Sequence, residues 1–237
     1  MTPAGSAAAQ AERHVREAEG DVLNGRVQAP AHELAAWSFD EVSLLFLCAL
    51  LRRARPQHVV EFGSGVSTTT LGTVLAETSP PGVLTAVEND PLYDSSTRAA
   101  VERLGLGDTV EVVFAPLVAR RVRGRMAPLY DVDLASLRAR GTPGLVLVDG
   151  PPSPLGGRIG SLQQALGLAA LGTIVVLDDA DREGEQRALE LVRNEAGDDL
   201  TVLLLEGFPK GMAVLIPHAD IPLGDVGPAN PATEVDG

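Results

Sequence analysis

Hydrophobic residues form two kinds of pattern along the chain, and segments of the two kinds alternate. Short, nearly continuous runs of Val, Ile and Leu predict strands, because a strand covered on both faces needs apolar residues throughout. Between these runs, apolar residues recur three and four positions apart, which predicts helices. The strands are expected at 58–62, 83–88, 109–114, 145–149, 173–177, 200–205 and 212–216. The helices are expected from 38 to Pro56, and at 67–77, 92–104, 158–170 and 181–196.

This order of elements predicts an α/β domain in which a seven-stranded, mostly parallel sheet lies between two layers of helices. The connection between the last two strands, 206–211, is too short for a parallel crossover, so that pair is expected to be antiparallel. Ligands bind such sheets at the carboxyl ends of the strands, and functional residues are therefore expected there.

The segments around the predicted sheet carry weaker patterns. We expect three parts: an N-terminal segment at 1–37 that is partly disordered or forms a cap, the domain at 38–217, and a disordered acidic tail at 218–237. In the first part, 1–10 is expected to lack structure and 11–20 to form a short helix. Ser38 and Glu41 have the spacing of a capping box for the first strong helix. The stretch 115–143 is expected to be irregular.

The charge balance narrows the classes of partner. Acidic residues number 32 against 19 basic ones, Lys210 is the only lysine, and the formal net charge is −13. A surface of this sign disfavours nucleic acids and anionic membranes, and 3% aromatic residues offer few platforms for stacked bases. No pattern of a leader or a membrane span is found. The single cysteine, Cys48, excludes an internal disulfide and fits a reducing, cytoplasmic compartment.

A glycine-rich loop follows the first predicted strand. Gly63-Ser64-Gly65 lets the backbone turn tightly, and the helix after it offers free N–H groups to an anion. The dinucleotide fingerprint requires a third glycine where this chain has Thr68, which disfavours a diphosphate cofactor such as NAD. Ser67 and Thr68 instead supply hydroxyls that suit a carboxylate or another single anion. The alternative is a plain turn in which a Ser or Thr caps the helix.

Acidic residues stand at the ends of three further strands. Glu88 ends the second strand, where a carboxylate can accept both hydroxyls of a ribose; an exposed loop acid is the alternative. Asp149 ends the fourth strand, and Asp178 and Asp179 follow the fifth. Three carboxylates at one edge of a sheet could converge on a divalent cation, which prefers oxygen ligands. The alternative is that Asp178 or Asp179 caps the following helix.

Together these motifs resemble the class I S-adenosylmethionine-dependent methyltransferases. The segment 61–65 is similar to their first motif, Glu88 to their ribose-binding acid, and 114–117 to the segment that flanks adenine, here without the usual Asp or Asn. The resemblance spans about residues 40–216 and implies a Rossmann-like methyltransferase fold with S-adenosylmethionine as cofactor. The cofactor-binding residues it implies are Glu61, Gly63, Ser64, Gly65, Ser67, Thr68, Glu88, Asn89, Ala115, Pro116 and Asp149.

Two subgroups are more similar still. A bacterial subgroup carries the motifs found here at 61–68, 87–91, 148–152 and 177–179, and many of its members have no assigned substrate. The catechol-type, magnesium-dependent O-methyltransferases place an Asp after strand four and an Asp-Asn pair after strand five. This implies Asp149, Asp178 and Asp179 as metal ligands and Mg²⁺ as a further cofactor. Two departures are Asp179 in place of Asn, and Pro152 where those enzymes carry a lysine base.

The activity that this resemblance implies is transfer of a methyl group from S-adenosylmethionine to an oxygen or nitrogen of a small-molecule acceptor, such as a secondary metabolite. Asp149 is the first candidate for the base and Asp178 the second. Arg158 either binds an anionic acceptor or is a surface residue at a helix start. Two other classes stay open: another S-adenosylmethionine- or nucleotide-dependent transferase, and a non-catalytic binding module on the same fold. The acceptor and the formation of a homo-oligomer are left open.

Overall fold

The helices and strands alternate along the chain in this computed structural model, which describes residues 3–30, 40–122, 124–152, 157–221 and 226–227. The strands are β1 (His58–Phe62), β2 (Val83–Glu88), β3 (Val110–Phe114), β4 (Leu117–Val122), β5 (Arg125–Tyr130), β6 (Leu145–Val148), β7 (Ile174–Asp178), β8 (Leu200–Leu205), β9 (Met212–Pro217) and β10 (Val226–Gly227). The helices are α1 (Pro3–Leu23), α2 (Glu41–Ala54), α3 (Val66–Ala76), α4 (Pro91–Arg103), α5 (Leu134–Arg138), α6 (Ile159–Leu168) and α7 (Glu183–Ala196).

The main sheet has seven strands in the order β3-β2-β1-β6-β7-β9-β8. Neighbouring strands from β3 to β7 are parallel. β9 is antiparallel to both β7 and β8, which confirms the predicted antiparallel pair. The α/β fold class and its seven-stranded, mostly parallel sheet are thus confirmed. The chain order reverses between β1 and β6, and this reversal is where open sheets of this kind bind ligands.

Side chains of the central strands alternate between two cores, because successive residues of a strand point to opposite faces. Val59 and Leu145 belong to the core that includes α2 and α3. Val60 and Val146 belong to the core that includes α6 and α7. The same alternation puts Glu61 on the face of Val59, so this acidic side chain points toward the layer that contains α3.

The N-terminal helix is a correction to the sequence-based expectation. Residues 3–10, expected to lack structure, form the first part of α1. Its buried side chains are Ala8, Ala11, Val15 and Ala18. They form a stripe with helical spacing, and α1 packs along α2. Arg53 of α2 adds hydrogen bonds to Glu17 and Asp21 of α1. The stripe was missed because alanine gives a weak hydrophobic signal, although it is the best helix former.

A β-hairpin is the second correction. The stretch 115–143, expected to be irregular, contains β4, β5 and α5. Val122 pairs with Arg125, so two residues connect the strands, and one of them is Gly124 with a φ of +79°. A two-residue connection with glycine is a hairpin signal. Arginines on both sides of this connection obscured the apolar pattern of the two strands. β10 pairs with the other side of β4.

Several expectations fall outside the described residues. The predicted capping residue Ser38 and most of the predicted tail 218–237 belong to this group. The cap seen at α2 is Asp40, whose carboxylate accepts hydrogen bonds from the N–H and the hydroxyl of Ser43 at 3.0 and 2.8 Å. Within the described ranges, no helix has the length and apolar composition needed to cross a bilayer.

Gly160 allows α6 to lie directly on the hairpin, and its replacement is expected to destabilise the fold. A Cβ at Gly160 would lie 1.8 Å from the carbonyl oxygen of Pro128, a backbone atom of β5. We expect Gly160→Ala to lower the free energy of unfolding by about 2–3 kcal/mol, as overpacking does. Urea denaturation measures this loss.

A second helical glycine provides the matched control for this substitution. Gly184 lies in α7 with no heavy atom within 4 Å of its Cβ position. Gly184→Ala should leave stability unchanged or raise it by up to about 1 kcal/mol, because alanine favours helices. Equal stability changes for the two variants would contradict the close packing of α6 on β5.

Candidate active site

The loop between β1 and α3 lies where the chain order of the sheet reverses, between β2 and β6. Gly63 has a φ of +107°, a conformation that glycine adopts readily and other residues rarely do. A Cβ there would lie 3.3 Å from the backbone nitrogen of Gly150. Gly63 therefore lets the loops after β1 and β6 approach each other. Gly63, Ser64 and Gly65 are partly exposed, as a loop that contacts a ligand must be.

Glu61 fixes this loop from inside the protein. Its side chain is fully buried, and its two carboxylate oxygens accept hydrogen bonds from the hydroxyls of Ser67 and Thr68, each at 2.6 Å. The Thr68 hydroxyl oxygen also accepts from the N–H of Gly65 at 2.9 Å. The hydroxyls of Ser67 and Thr68 are thus engaged within the protein, which corrects the expectation that they face an anionic ligand. These residues shape the loop, and the exposed backbone of the loop remains to contact a ligand.

The burial of Glu61 has a measurable effect on stability. Burial raises the pKa of Glu61 to about 7, although its two hydroxyl partners lower it. A carboxyl group with a higher pKa in the folded chain binds more protons there than in the unfolded chain. It therefore stabilises the fold at low pH, and this contribution is lost as the pH rises.

We accordingly expect the free energy of unfolding to fall between pH 4.5 and about 7, with Glu61 contributing about 2–3 kcal/mol. Asp149 and Asp178, whose pKa values are also raised, act in the same direction. Urea denaturation at a series of pH values measures the total slope. Glu61→Gln should flatten it, and a slope unchanged by this substitution would rule out Glu61 as a source.

Glu88 lies at the end of β2, directly beside the glycine loop. Its side chain is buried, and one carboxylate oxygen accepts from the Ser64 hydroxyl at 2.7 Å. The other oxygen accepts from the N–H groups of Asn89 and Asp90, both at 2.8 Å. Burial raises the pKa of Glu88, and these hydrogen bonds oppose the increase. Ser64 therefore links the glycine loop by a hydrogen bond to Glu88, the residue predicted to bind the ribose.

The residues expected near adenine surround the end of β3. Ala115 is buried, and its N–H donates to the carbonyl oxygen of Glu88 at 2.7 Å. Pro116 is exposed, and its carbonyl accepts from the N–H of Asp131 at 2.9 Å. Two exposed apolar side chains, Phe114 and Leu92, lie on the elements that flank this point. Phe114 belongs to the segment 114–117 that the resemblance placed beside adenine, whereas Leu92 was not expected there.

The three aspartates converge, as the sequence predicted. One carboxylate oxygen from each of Asp149, Asp178 and Asp179 lies within 4.8 Å of the others. Asp178 and Asp179 are almost fully buried, whereas the Asp149 side chain is 27% exposed. Asp179 also has a φ of +56°, an uncommon backbone conformation for a residue with a side chain. Of the three carboxylates, only that of Asp149 is accessible to an acceptor.

Arg158 lies among these carboxylates, and its placement was not anticipated. The residue directly precedes α6 and is 4% exposed, so the expectation of a surface arginine is wrong. Its Nη2 donates to Asp149 Oδ1 at 2.9 Å and also to Asp179 Oδ2. Its Nη1 donates to the carbonyl oxygen of Asp178 at 2.5 Å. The guanidinium thus contacts all three acidic residues.

The negative charge of this cluster exceeds what Arg158 compensates. Burial raises the pKa of Asp149 to about 7, with Arg158 opposing the change. Burial and the neighbouring carboxylates raise the pKa of Asp178 to about 8. Lys210, in the turn between β8 and β9, is near enough to lower the pKa of Asp149. The only lysine of the chain therefore lies close enough to affect the electrostatics of Asp149, to a smaller extent than burial and Arg158.

Tyr130 is a second residue that sequence reasoning missed. It ends β5, is 2% exposed, and packs its ring against Phe62 with centroids 5.4 Å apart. A Cβ on Gly150 would lie 2.2 Å from the Tyr130 hydroxyl, which places that hydroxyl between the loops after β1 and β6. It has no hydrogen-bond partner among the described residues. A buried hydroxyl without a partner is unusual, and it indicates a position where a ligand can supply one.

A divalent cation does not fit this arrangement of side chains. Such an ion would need carboxylate oxygens at roughly 2.0–2.6 Å. The region where the three carboxylates approach each other is occupied by the Arg158 guanidinium, which is itself a cation.

The order of the sheet strands and the loop at their reversal define a Rossmann-like methyltransferase fold. The family model described as a methyltransferase domain matches residues 60–180. The chain belongs to this family, and the resemblance found in the sequence is confirmed.

Individual relatives agree with this assignment. A catechol O-methyltransferase of Mycobacterium tuberculosis is 26% identical over 177 residues, which cover 68% of this chain and 71% of that protein. The O-methyltransferase of Bacillus cereus, solved with S-adenosylhomocysteine, matches with a TM-score of 0.55 and 19% identity over 86% of this chain and 90% of that one. The O-methyltransferase TomG of Streptomyces achromogenes, solved with S-adenosylmethionine, matches with a TM-score of 0.55 and 21% identity over 92% and 90%.

Proposed function

We propose that this methyltransferase transfers a methyl group from S-adenosylmethionine to a hydroxyl oxygen of a small molecule. The observation that carries the proposal is the position of Asp149. This partly exposed carboxylate stands at the end of β6, next to the glycine loop, and its pKa is raised to about 7. A base with a pKa near neutral is well matched to taking a proton from a hydroxyl group.

The residues present suit the proposed cofactor. The partly exposed backbone of Gly63, Ser64 and Gly65 can contact its amino-acid portion, since the tight turn leaves no side chain in the way except that of Ser64. Glu88 is placed to accept the ribose hydroxyls. Ala115 and the exposed Phe114 lie next to Glu88 across the parallel pair β2 and β3, where an adenine ring can pack. When bound, S-adenosylmethionine supplies a methyl group on a sulfonium, which is already a good leaving group.

The protein then has two tasks, which are to orient the acceptor and to remove its proton. Asp149 performs the second task by accepting the hydroxyl proton on its carboxylate. Arg158 holds Oδ1 of Asp149 at 2.9 Å, which fixes the orientation of this side chain. Asp178, the second candidate base from the sequence, is almost fully buried and therefore does not contact an acceptor. Holding the reactants in line supplies much of the remaining rate enhancement.

A methyl-transfer assay tests this proposal. The purified chain is incubated with S-adenosylmethionine and a panel of small hydroxyl compounds, and S-adenosylhomocysteine is quantified. Catechols are the first acceptors to include, because the Mycobacterium tuberculosis relative is named for them. A second panel offers matched amines. Methylation of a hydroxyl compound supports the proposal, and methylation of amines alone would contradict oxygen as the acceptor atom.

Tyr130 is expected to donate its unpartnered hydroxyl to a polar atom of the bound cofactor. Burial raises the pKa of Tyr130 well above its usual value, so the hydroxyl is neutral and serves as a donor. We expect Tyr130→Phe to weaken binding of S-adenosylhomocysteine about 3- to 10-fold, which is the usual value of one hydrogen bond.

The stability of the same variant supplies the control. In the free protein, Tyr130→Phe removes a buried hydroxyl without a partner among the described residues. The melting temperature should therefore stay equal or rise, because the desolvation penalty disappears. A lower melting temperature with unchanged affinity would show that the hydroxyl serves the fold and not the ligand.

The cytoplasmic location and the absence of nucleic-acid partners stay predictions from the sequence.

A further inference from the structure

We propose that the guanidinium of Arg158 takes the place of a divalent metal ion in this site, so that the enzyme works without a metal. Arg158 then acts as a positioning residue for Asp149. This inference rests on the proposed function for its catalytic part. Its structural part is that a guanidinium occupies the acidic cluster, and this part depends only on the contacts between Arg158 and the aspartates.

The geometry of the acidic cluster supports this proposal. The three aspartates meet with carboxylate oxygens 4.8 Å apart or less. This is close enough for a single cation to contact all three groups. Arg158 Nη2 lies at hydrogen-bond distance from Asp149 Oδ1 and from Asp179 Oδ2, and Nη1 lies 3.9 Å from Asp178 Oδ2. The guanidinium therefore contacts two of the three carboxylates directly and lies near the third, so it supplies positive charge where a metal ion would.

The buried charges around Arg158 support it as well. Asp178, Asp179 and Glu185 are buried acidic side chains around Arg158, and removing one cation from such a group leaves uncompensated negative charge. Arg182 contacts Asp179 at 2.9 Å, but its side chain is 45% exposed and it lies at the rim. Only Arg158 is buried inside the cluster within the described ranges. The site therefore needs a cation at this position, and the chain provides it covalently.

The acidic groups also retain carboxylate oxygens that are not engaged in hydrogen bonds. Asp178 Oδ1, Asp179 Oδ1 and Glu185 Oε1 are buried oxygens without a hydrogen-bond partner in the described part of the chain. Loss of the guanidinium would free the carboxylate oxygens that Arg158 now contacts, beside these unpartnered ones. Removing the arginine side chain should therefore turn the cluster into a metal site, which gives the inference a direct test.

The test uses Mn²⁺ as the probe, followed by electron paramagnetic resonance on the free protein. The wild-type chain should bind no Mn²⁺ more tightly than about 1 mM, the weak end of oxygen-ligand sites. Arg158→Ala should bind it at least about 10-fold more tightly, because three carboxylates are freed. Arg158→Lys keeps a cation in the cluster and should bind Mn²⁺ as weakly as the wild type does. Arg182→Ala is the matched control: it removes an arginine that contacts Asp179 but leaves the guanidinium of Arg158 in place.

Tight Mn²⁺ binding by the wild-type chain would overturn the inference. A folded Arg158→Ala that gains no affinity for Mn²⁺ would also overturn it. Arg158→Met, which keeps the volume of the side chain, serves the same purpose if the alanine variant does not fold. If neither variant folds, the wild-type titration still decides, because it needs no substitution.

The catalytic part is tested in the same preparation. Wild-type methyl transfer should be unchanged by EDTA, and Arg158→Lys should recover part of the activity that Arg158→Met loses. Loss of activity with EDTA would overturn the inference. A wild-type chain that binds no S-adenosylhomocysteine would instead contradict the proposed function, while the Mn²⁺ results would keep their meaning.

Discussion

Replacing Asp149 by asparagine is expected to lower kcat about 100- to 1,000-fold, which is the usual contribution of a general base. Asparagine keeps the shape of the side chain and an oxygen for Arg158, but it cannot take a proton. The affinity for S-adenosylhomocysteine should stay within about threefold, because that ligand offers no proton to remove. The measurement is steady-state kinetics with the acceptor found in the assay above.

The pH profile gives a second view of the same residue. A base acts in its deprotonated form, so kcat/KM should rise with pH through about 7, the pKa to which burial raises Asp149. Asp131→Asn is the control, since Asp131 is an exposed acid at the end of the hairpin and lies outside the aspartate cluster. Its kcat should stay within about twofold. An Asp149→Asn variant with nearly full kcat and an unchanged pH profile would show that another group takes the proton.

Replacing Glu88 by alanine is expected to weaken binding of S-adenosylhomocysteine by about 100-fold or more. Two hydrogen bonds from ribose hydroxyls to a buried carboxylate are charge-assisted, and such bonds contribute about 1.5–3 kcal/mol each to binding when geometry is good. Part of the loss arises because Ser64 and the N–H groups of Asn89 and Asp90 lose their shared acceptor. Isothermal titration calorimetry measures the affinity.

Two further variants separate these contributions to the loss. Glu88→Gln keeps one acceptor oxygen and the packing of the side chain, so its affinity should lie between those of wild type and alanine variant. Glu111→Ala removes an exposed acid of β3 whose partner is Arg140, and it should leave affinity unchanged. Equal affinity of Glu88→Ala and wild type would refute the ribose contact.

The strand ends were predictable from the sequence, and the reason is physical. A buried parallel strand needs an unbroken apolar run, so the first polar residue after it marks the sheet edge. The positions of Glu88, Asp149 and Asp178 after such runs therefore predict that the three residues share one edge of the sheet. The glycine loop was predictable for a related reason, because its turn requires backbone conformations that other residues avoid.

The missed features depend on contacts that the pattern does not encode. Arg158 was expected either at an acceptor or at the surface, since nothing local distinguishes a buried arginine from an exposed one. Tyr130 and Lys210 reach the site through a hairpin and a turn that are distant in sequence. The hydroxyls of Ser67 and Thr68 were interpreted as ligand donors because one cannot tell from sequence that Glu61 points to the same side. For Arg158 and Glu61 the missing information is the direction of the side chain, and for Tyr130 and Lys210 it is proximity between segments that are distant in sequence.

Calorimetric titration of S-adenosylhomocysteine into the wild-type chain tests the proposed cofactor most directly. We expect one site per chain with a dissociation constant of roughly 1–100 μM, in the usual range for enzyme ligands. Heat exchange that is absent up to about 1 mM ligand would contradict the proposed cofactor, and with it the assignment of the glycine loop and Glu88 as its binding site.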